Sequence, residues 1–191
     1  MHSCSGSPRR ALLRAALGAG VFLCAPRYAA AQAADPRMQR PQAGDRFVFA
    51  GFERIGHVIT PGDVPAGKPP LLAYPIDPSS RVVRDGSRLN QVLLVRLAVE
   101  ELDEDTRARS ADGVVAYSGV CTHTGCDVTV WQAETRRFRC PCHESEFDPR
   151  DRGRVVGGPA PRRLPRLPVK IADGVIVAEG SFIGRPGFLP G

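Results

Sequence analysis

Four side chains able to bind a metal through sulfur or imidazole nitrogen fall within 23 residues: Cys121, His123, Cys140 and His143. They lie in two short segments, Cys121-Thr-His123-Thr-Gly-Cys126 and Cys140-Pro-Cys142-His143-Glu-Ser145. Each segment offers one thiolate and one imidazole, and sixteen residues separate His123 from Cys140. That spacing accommodates a strand, a turn and a returning strand, so both segments can meet at the tip of one hairpin. Two chemistries suit the donor set. A structural zinc ion takes two Cys and two His, although zinc sites usually pair Cys with Cys and His with His at close spacing. A [2Fe–2S] cluster can instead take two Cys on one iron and two His on the other. Neutral imidazoles ease reduction, giving potentials of about −150 to +300 mV against about −400 mV for all-Cys plant ferredoxins. Cys126 and Cys142 fall in the same two segments, so every cysteine after residue 34 belongs to one small region.

The elements that must position these segments read as short strands. Apolar runs at 46–50, 71–74, 91–99, 114–118, 128–131, 137–139, 169–171 and 175–178 are separated by Pro and Gly. Asp173-Gly174 between two apolar runs signals a hairpin. One short helix is expected at 100–109, where acids come first and arginines last, as the helix dipole prefers. The pattern is all-β: a small antiparallel sandwich or incomplete barrel over 46–191, with the two metal-binding loops in a part spanning about 113–167.

The N-terminal part has a different composition. Arg9-Arg10 precedes an apolar stretch from Ala15 to Ala25 and an Ala31-Gln32-Ala33 site, the layout of an export signal over 1–33. The twin arginine resembles a Tat signal and implies a periplasmic location; the chain would be membrane-anchored if the leader were retained. Residues 34–45, polar and Pro-rich, are expected as a flexible lead-in. The formal charge of +6 comes largely from the leader: from residue 34 onward 22 basic residues face 20 acidic ones, which gives no reason to expect a nucleic-acid partner.

With both halves of the C-x-H…C-x-x-H pattern present, the chain resembles the Rieske proteins. The resemblance implies a Rieske fold with a cluster-binding subdomain of two loops. It also implies one [2Fe–2S] cluster per chain, with Cys121 and Cys140 on one iron, His123 and His143 on the other, and exposed histidine edges as the electron port. Cys126 and Cys142 match the disulfide that staples the two loops in the cytochrome bc-type branch. Ser145 matches a hydroxyl that donates to a cluster sulfur, and Gly158-Pro159-Ala160-Pro161 matches that branch's proline loop. Phe147 stands where those proteins carry a donor tyrosine, and Glu144 where they carry glycine.

An oxygenase would need two further histidines for a mononuclear iron. After the cluster takes its pair, only His57 remains beyond residue 34, and it reads as a surface histidine. Val115-Ala116-Tyr117-Ser118, Glu146-Phe147-Asp148, Leu164-Pro165-Arg166 and Ile183-Gly184-Arg185 resemble the arsenite oxidase small subunit over residues 70–185. The Gly158–Pro161 segment departs from that family. This resemblance implies an electron-transfer subunit without a substrate-converting site of its own. It would serve a large molybdopterin subunit and pass electrons to an acceptor such as a cytochrome c. The alternatives are the Rieske subunit of a quinol-oxidising cytochrome bc complex and, in another class, a structural zinc module.

Overall fold

The computed structural model describes residues 34–51 and 54–189; the export-signal reading of 1–33 lies outside them. Among the described residues, eleven short strands form two antiparallel sheets. Strands β1 (Arg46–Phe49), β2 (Leu71–Ile76), β3 (Val92–Arg96), β4 (Val114–Ser118), β9 (Arg166–Leu167), β10 (Val169–Ala172) and β11 (Val175–Ala178) form the first, in the order β10-β11-β1-β2-β3-β4-β9. Strands β5 (Val130–Gln132), β6 (Arg137–Arg139), β7 (Glu146–Asp148) and β8 (Arg154–Gly157) form the second, in sequence order.

The first sheet opens on β10 and ends on β9, and these strands are separated only by Pro168. Pro168 has no N–H to continue a ladder. The chain bends there, and the sheet nearly closes on itself, which is the incomplete barrel expected from the strand pattern. Asp173 and Gly174 both have positive φ (51° and 75°), and they turn β10 into β11 as the hairpin signal implied.

Strands β3 and β4 tie the two sheets together. Their residues are buried on both faces apart from Arg96, so their sequences, VLLVR and VVAYS, carry no polar alternation. Val92, Leu94, Val114 and Ala116 point into the barrel core with Phe47, Ile59 and Ile176. Leu93, Val95, Val115 and Tyr117 point the other way, into a second core with Phe138, Phe147, Cys121 and Cys140. The metal-binding loops therefore stand on the outer face of the barrel's best-packed wall.

Two expectations change. The strand expected at 91–99 stops at Arg96, and the helix expected at 100–109 shrinks to α1 (Glu104–Arg107) behind a 3-10 turn at Val99–Glu101. Asp103 fixes that start by accepting from the Thr106 amide at 2.6 Å, a helix N-cap. Residues 34–45, expected as a flexible lead-in, make contacts distant in sequence. Arg37 pairs with Asp85, Arg40 donates to Asn90, and Asp45 takes a bidentate, buried ion pair from Arg84 at 2.6 and 2.9 Å. These long-range partners hold a segment whose composition alone looks uncommitted.

Candidate metal centre

Three connections converge on the second core: loop 1 between β4 and β5, loop 2 between β6 and β7, and the proline loop between β8 and β9. In loop 1 the Cys121 amide donates to the Cys126 carbonyl at 2.8 Å, and the Gly125 amide donates back to the Cys121 carbonyl at 3.1 Å. In loop 2 the Cys140 amide donates to the Ser145 carbonyl at 2.9 Å, closing the turn that carries Cys142 and His143. A disulfide between Cys126 and Cys142 joins the two loops, as the resemblance implied. Closing a loop of about fifteen residues stabilises by about 3 kcal/mol in the chain-entropy account.

Cys121 and Cys140 carry free thiols and are each 1% exposed. Burial pushes the Cys121 thiol up from its ordinary value; the His123 amide opposes that shift and the neighbouring Cys140 thiol adds to it. His123 and His143 stand edge to face with ring centroids 4.7 Å apart, the first half-buried and the second exposed.

His123 Nδ1 and Ser145 Oγ are both buried with no hydrogen-bond partner among the described residues. Orphaned buried polar atoms are costly, by about 1–3 kcal/mol each. Here they sit beside two buried thiols. Two thiols, two imidazoles and an unpaired hydroxyl fit the cluster: an iron would take up the ring nitrogen, and an acceptor sulfur the hydroxyl. Cys121, His123, Cys140 and His143 could therefore hold the metals, as the sequence indicated, and Ser145 is brought to the same place.

Several contacts had no sequence signal. The Thr122 hydroxyl donates to the Arg162 carbonyl at 2.7 Å, tying loop 1 to the proline loop. A Cβ on Gly158 would lie 2.5 Å from Ser145 Cα and 2.6 Å from the Glu144 carbonyl oxygen, so the proline loop rests directly on loop 2. Glu144 has φ +57°, a conformation that favours glycine, and its carboxylate meets Arg139 at 2.5 Å across the base of loop 2. Phe147 is fully buried, opposite Phe138 in the ladder, and brings no hydroxyl. His57 is exposed on the barrel, and Trp131 packs half-buried against Phe138.

Residues 73–168 match the Rieske [2Fe-2S] domain. The chain is 38% identical over 100 residues to the cytochrome bc1 complex Rieske iron-sulfur subunit of Corynebacterium efficiens, covering 49% of this chain and 24% of that one. It is 41% identical over 106 residues to a protein proposed as a respiratory nitrate reductase Rieske subunit in Haloferax mediterranei, covering 54% of this chain and 47% of that one. The match thus spans between a quarter and a half of those relatives' length. Among solved structures, the plasma membrane Rieske protein of Synechocystis PCC 6803 is 26% identical, over 63% of this chain and 95% of that one, with a TM-score of 0.43. The family match sets the zinc reading aside: this chain belongs to the Rieske [2Fe-2S] domain family and is an iron–sulfur electron-transfer protein of the Rieske type.

Proposed function

We propose that Cys121 and Cys140 hold one iron of the cluster and His123 and His143 the other, with Ser145 donating a hydrogen bond to it. The observation that carries this assignment is the pair of orphaned buried atoms, His123 Nδ1 and Ser145 Oγ, beside two buried thiols. Bound there, the cluster supplies storage for a single electron at a potential raised by its neutral imidazole ligands. The protein's own part is positional. The Cys126–Cys142 disulfide fixes the spacing of the loops, and the Gly158–Pro161 segment rests on loop 2 at Glu144 and Ser145. Exposed His143 and half-buried His123 leave imidazole edges where a partner can approach.

On this reading the chain is the small electron-transfer subunit of a larger oxidoreductase. It takes electrons from a molybdenum enzyme of the arsenite oxidase kind and passes them to a periplasmic or membrane acceptor such as a cytochrome c. The Val115–Ser118, Glu146–Asp148, Leu164–Arg166 and Ile183–Arg185 motifs support this partner, and the twin arginine at Arg9-Arg10 supports Tat export to the periplasm. A second reading, the Rieske subunit of a quinol-oxidising cytochrome bc complex, is favoured by the similarity to bc1 subunits and by the proline loop lying on Ser145. Among the described residues, no helix is long and apolar enough to cross a membrane.

The test is purification of the tagged full chain from its native host, from separate cell fractions. The expected result is two irons per chain (a family stoichiometry), a Rieske EPR signal, and co-purifying molybdenum in the periplasmic fraction. Replacing Arg9 and Arg10 by Lys should hold loaded protein inside the cell. A co-purifying b-type haem in place of molybdenum would give the second reading, and zinc without iron would overturn the ligand assignment.

A further inference from the structure

Between Arg150 and Arg166 the sequence carries six arginines and a single acid, Asp151. The fold gathers most of these arginines on one side of the proline loop. The β7–β8 turn brings Arg152, the end of the proline loop brings Arg162 and Arg163, and β9 brings Arg166, which exchanges backbone hydrogen bonds with Ile183. Together they line a groove of about 590 Å³ with Asp105. Leu164, buried, is at its floor, and Pro161, Pro165 and the 41% exposed Ile183 form its apolar walls.

The charge here is not balanced locally. Arg109, Arg152, Arg154, Arg163 and Arg166 share three aspartates, Asp103, Asp105 and Asp151. Among the described residues Arg162 has no acid as a hydrogen-bond partner, and it donates to the Arg185 and Gly187 carbonyls at 3.0 and 2.7 Å. Arg166 Nη1 is buried with no hydrogen-bond partner among the described residues. From residue 34 onward basic and acidic residues number 22 and 20, so much of the chain's positive excess is concentrated on this face.

The groove also adjoins the metal centre. The Arg162 carbonyl accepts from Thr122, the residue between Cys121 and His123. Apolar walls rimmed by arginines are the composition of a protein-recognition surface, since Arg is enriched there and pairs carboxylates bidentately. The volume far exceeds what one inorganic oxyanion fills.

We propose that this groove docks an acidic, Leu- or Ile-bearing segment of the redox partner protein, holding it beside the metal centre. The proposal rests on the electron-transfer reading above and adds the chemistry of the partner to it. Steering by such a field raises association rates and weakens with salt.

The probe is a synthetic six-residue peptide of Asp, Glu and Leu with blocked ends, titrated calorimetrically into the cluster-loaded full chain. Binding should weaken about tenfold or more in Arg152→Gln/Arg163→Gln, and by a similar factor when salt rises from about 20 to about 200 mM. Lys68→Gln/Lys170→Gln removes equal charge outside the groove and should leave binding within about twofold, because neither side chain lines the groove and Lys170 already pairs with Glu179. Arg152→Lys/Arg163→Lys keeps the charge and should recover most of the affinity if the glutamine variant lost charge rather than fold. Equal binding by the two glutamine variants, or inorganic phosphate displacing the peptide at matched charge, would overturn the proposal. The EPR signal is recorded on the same samples. Its absence would fail the electron-transfer reading alone, whereas an intact signal without selective peptide binding would fail only the groove.

Discussion

At the scale of single residues, the proposed ligand set makes Ser145 and Phe147 the two positions where the cluster's potential can be tested. Ser145 is fully buried and its hydroxyl has no hydrogen-bond partner among the described residues. A donor aimed at the cluster stabilises the added electron, so Ser145→Ala should lower the reduction potential. Phe147 packs in the core that holds Cys121 and Cys140, and Phe147→Tyr should raise the potential by adding a donor there. A hydrogen bond to a charged acceptor is worth about 1.5–3 kcal/mol, but both redox states accept it and only the difference counts. For one electron about 59 mV corresponds to a tenfold change in equilibrium, so some tens of millivolts is the expected scale for each change. Protein-film voltammetry at fixed pH measures both; an unchanged potential in Ser145→Ala would make Ser145 a turn residue only. These positions were legible because motif spacing survives without knowledge of the fold. Glu144 was not: its φ of +57° explains why glycine suits the position, and the Arg139 partner that occupies its carboxylate depends on the turn geometry of loop 2.

At the scale of elements, the centre depends on three loops being pressed together, and the tightest contact belongs to a glycine. Gly158 has φ +75°, and a Cβ there would meet backbone atoms of Ser145 and Glu144 at 2.5–2.7 Å. No side-chain rotation relieves a backbone clash. Gly158→Ala should therefore force the proline loop off loop 2, at a cost of about 1–3 kcal/mol from overpacking alone, with the left-handed φ adding to it. The expected outcome is a chain that still folds its barrel but releases iron at a lower temperature, read by loss of visible circular dichroism against a far-ultraviolet melt. Coincident loss of both signals at the wild-type temperature would refute the contact's importance. The prolines of this segment announced a rigid loop in the sequence, whereas its seat on loop 2 comes from pairing of β7 with β8. Those two strands and β9 were missed in the sequence. Glu146–Asp148, Arg154–Gly157 and Arg166–Leu167 are only two to four residues long with at most two apolar residues in a row, and they become strands by pairing with neighbours already in place.

At the scale of the molecule, the barrel and the cluster-binding part share one wall, β3 and β4, but their ends are built from different chemistry. The cluster end has a disulfide and proline constraints. The far side relies on charged turns and one buried ion pair, Arg84–Asp45. Asp77, after β2, accepts from the Ser79 hydroxyl at 2.7 Å, the Ser79 amide at 2.8 Å and the Ser80 hydroxyl at 2.9 Å. These bonds, the Ser79 hydroxyl foremost, hold its carboxyl at about 2. In the unfolded chain the same group titrates near about 3.9. Between those values the unfolded state binds more protons, so acid favours unfolding. The turn's contribution is then complete above about pH 4 and disappears as pH falls through about 2. Asp77→Ala should lower the melting temperature by a constant amount from neutral pH down to about pH 4, with the gap to wild type closing toward pH 2. Melts followed by far-ultraviolet circular dichroism across that range measure it. A gap that persists unchanged at pH 2 would mean that Asp77 acts through turn geometry and not through its charge.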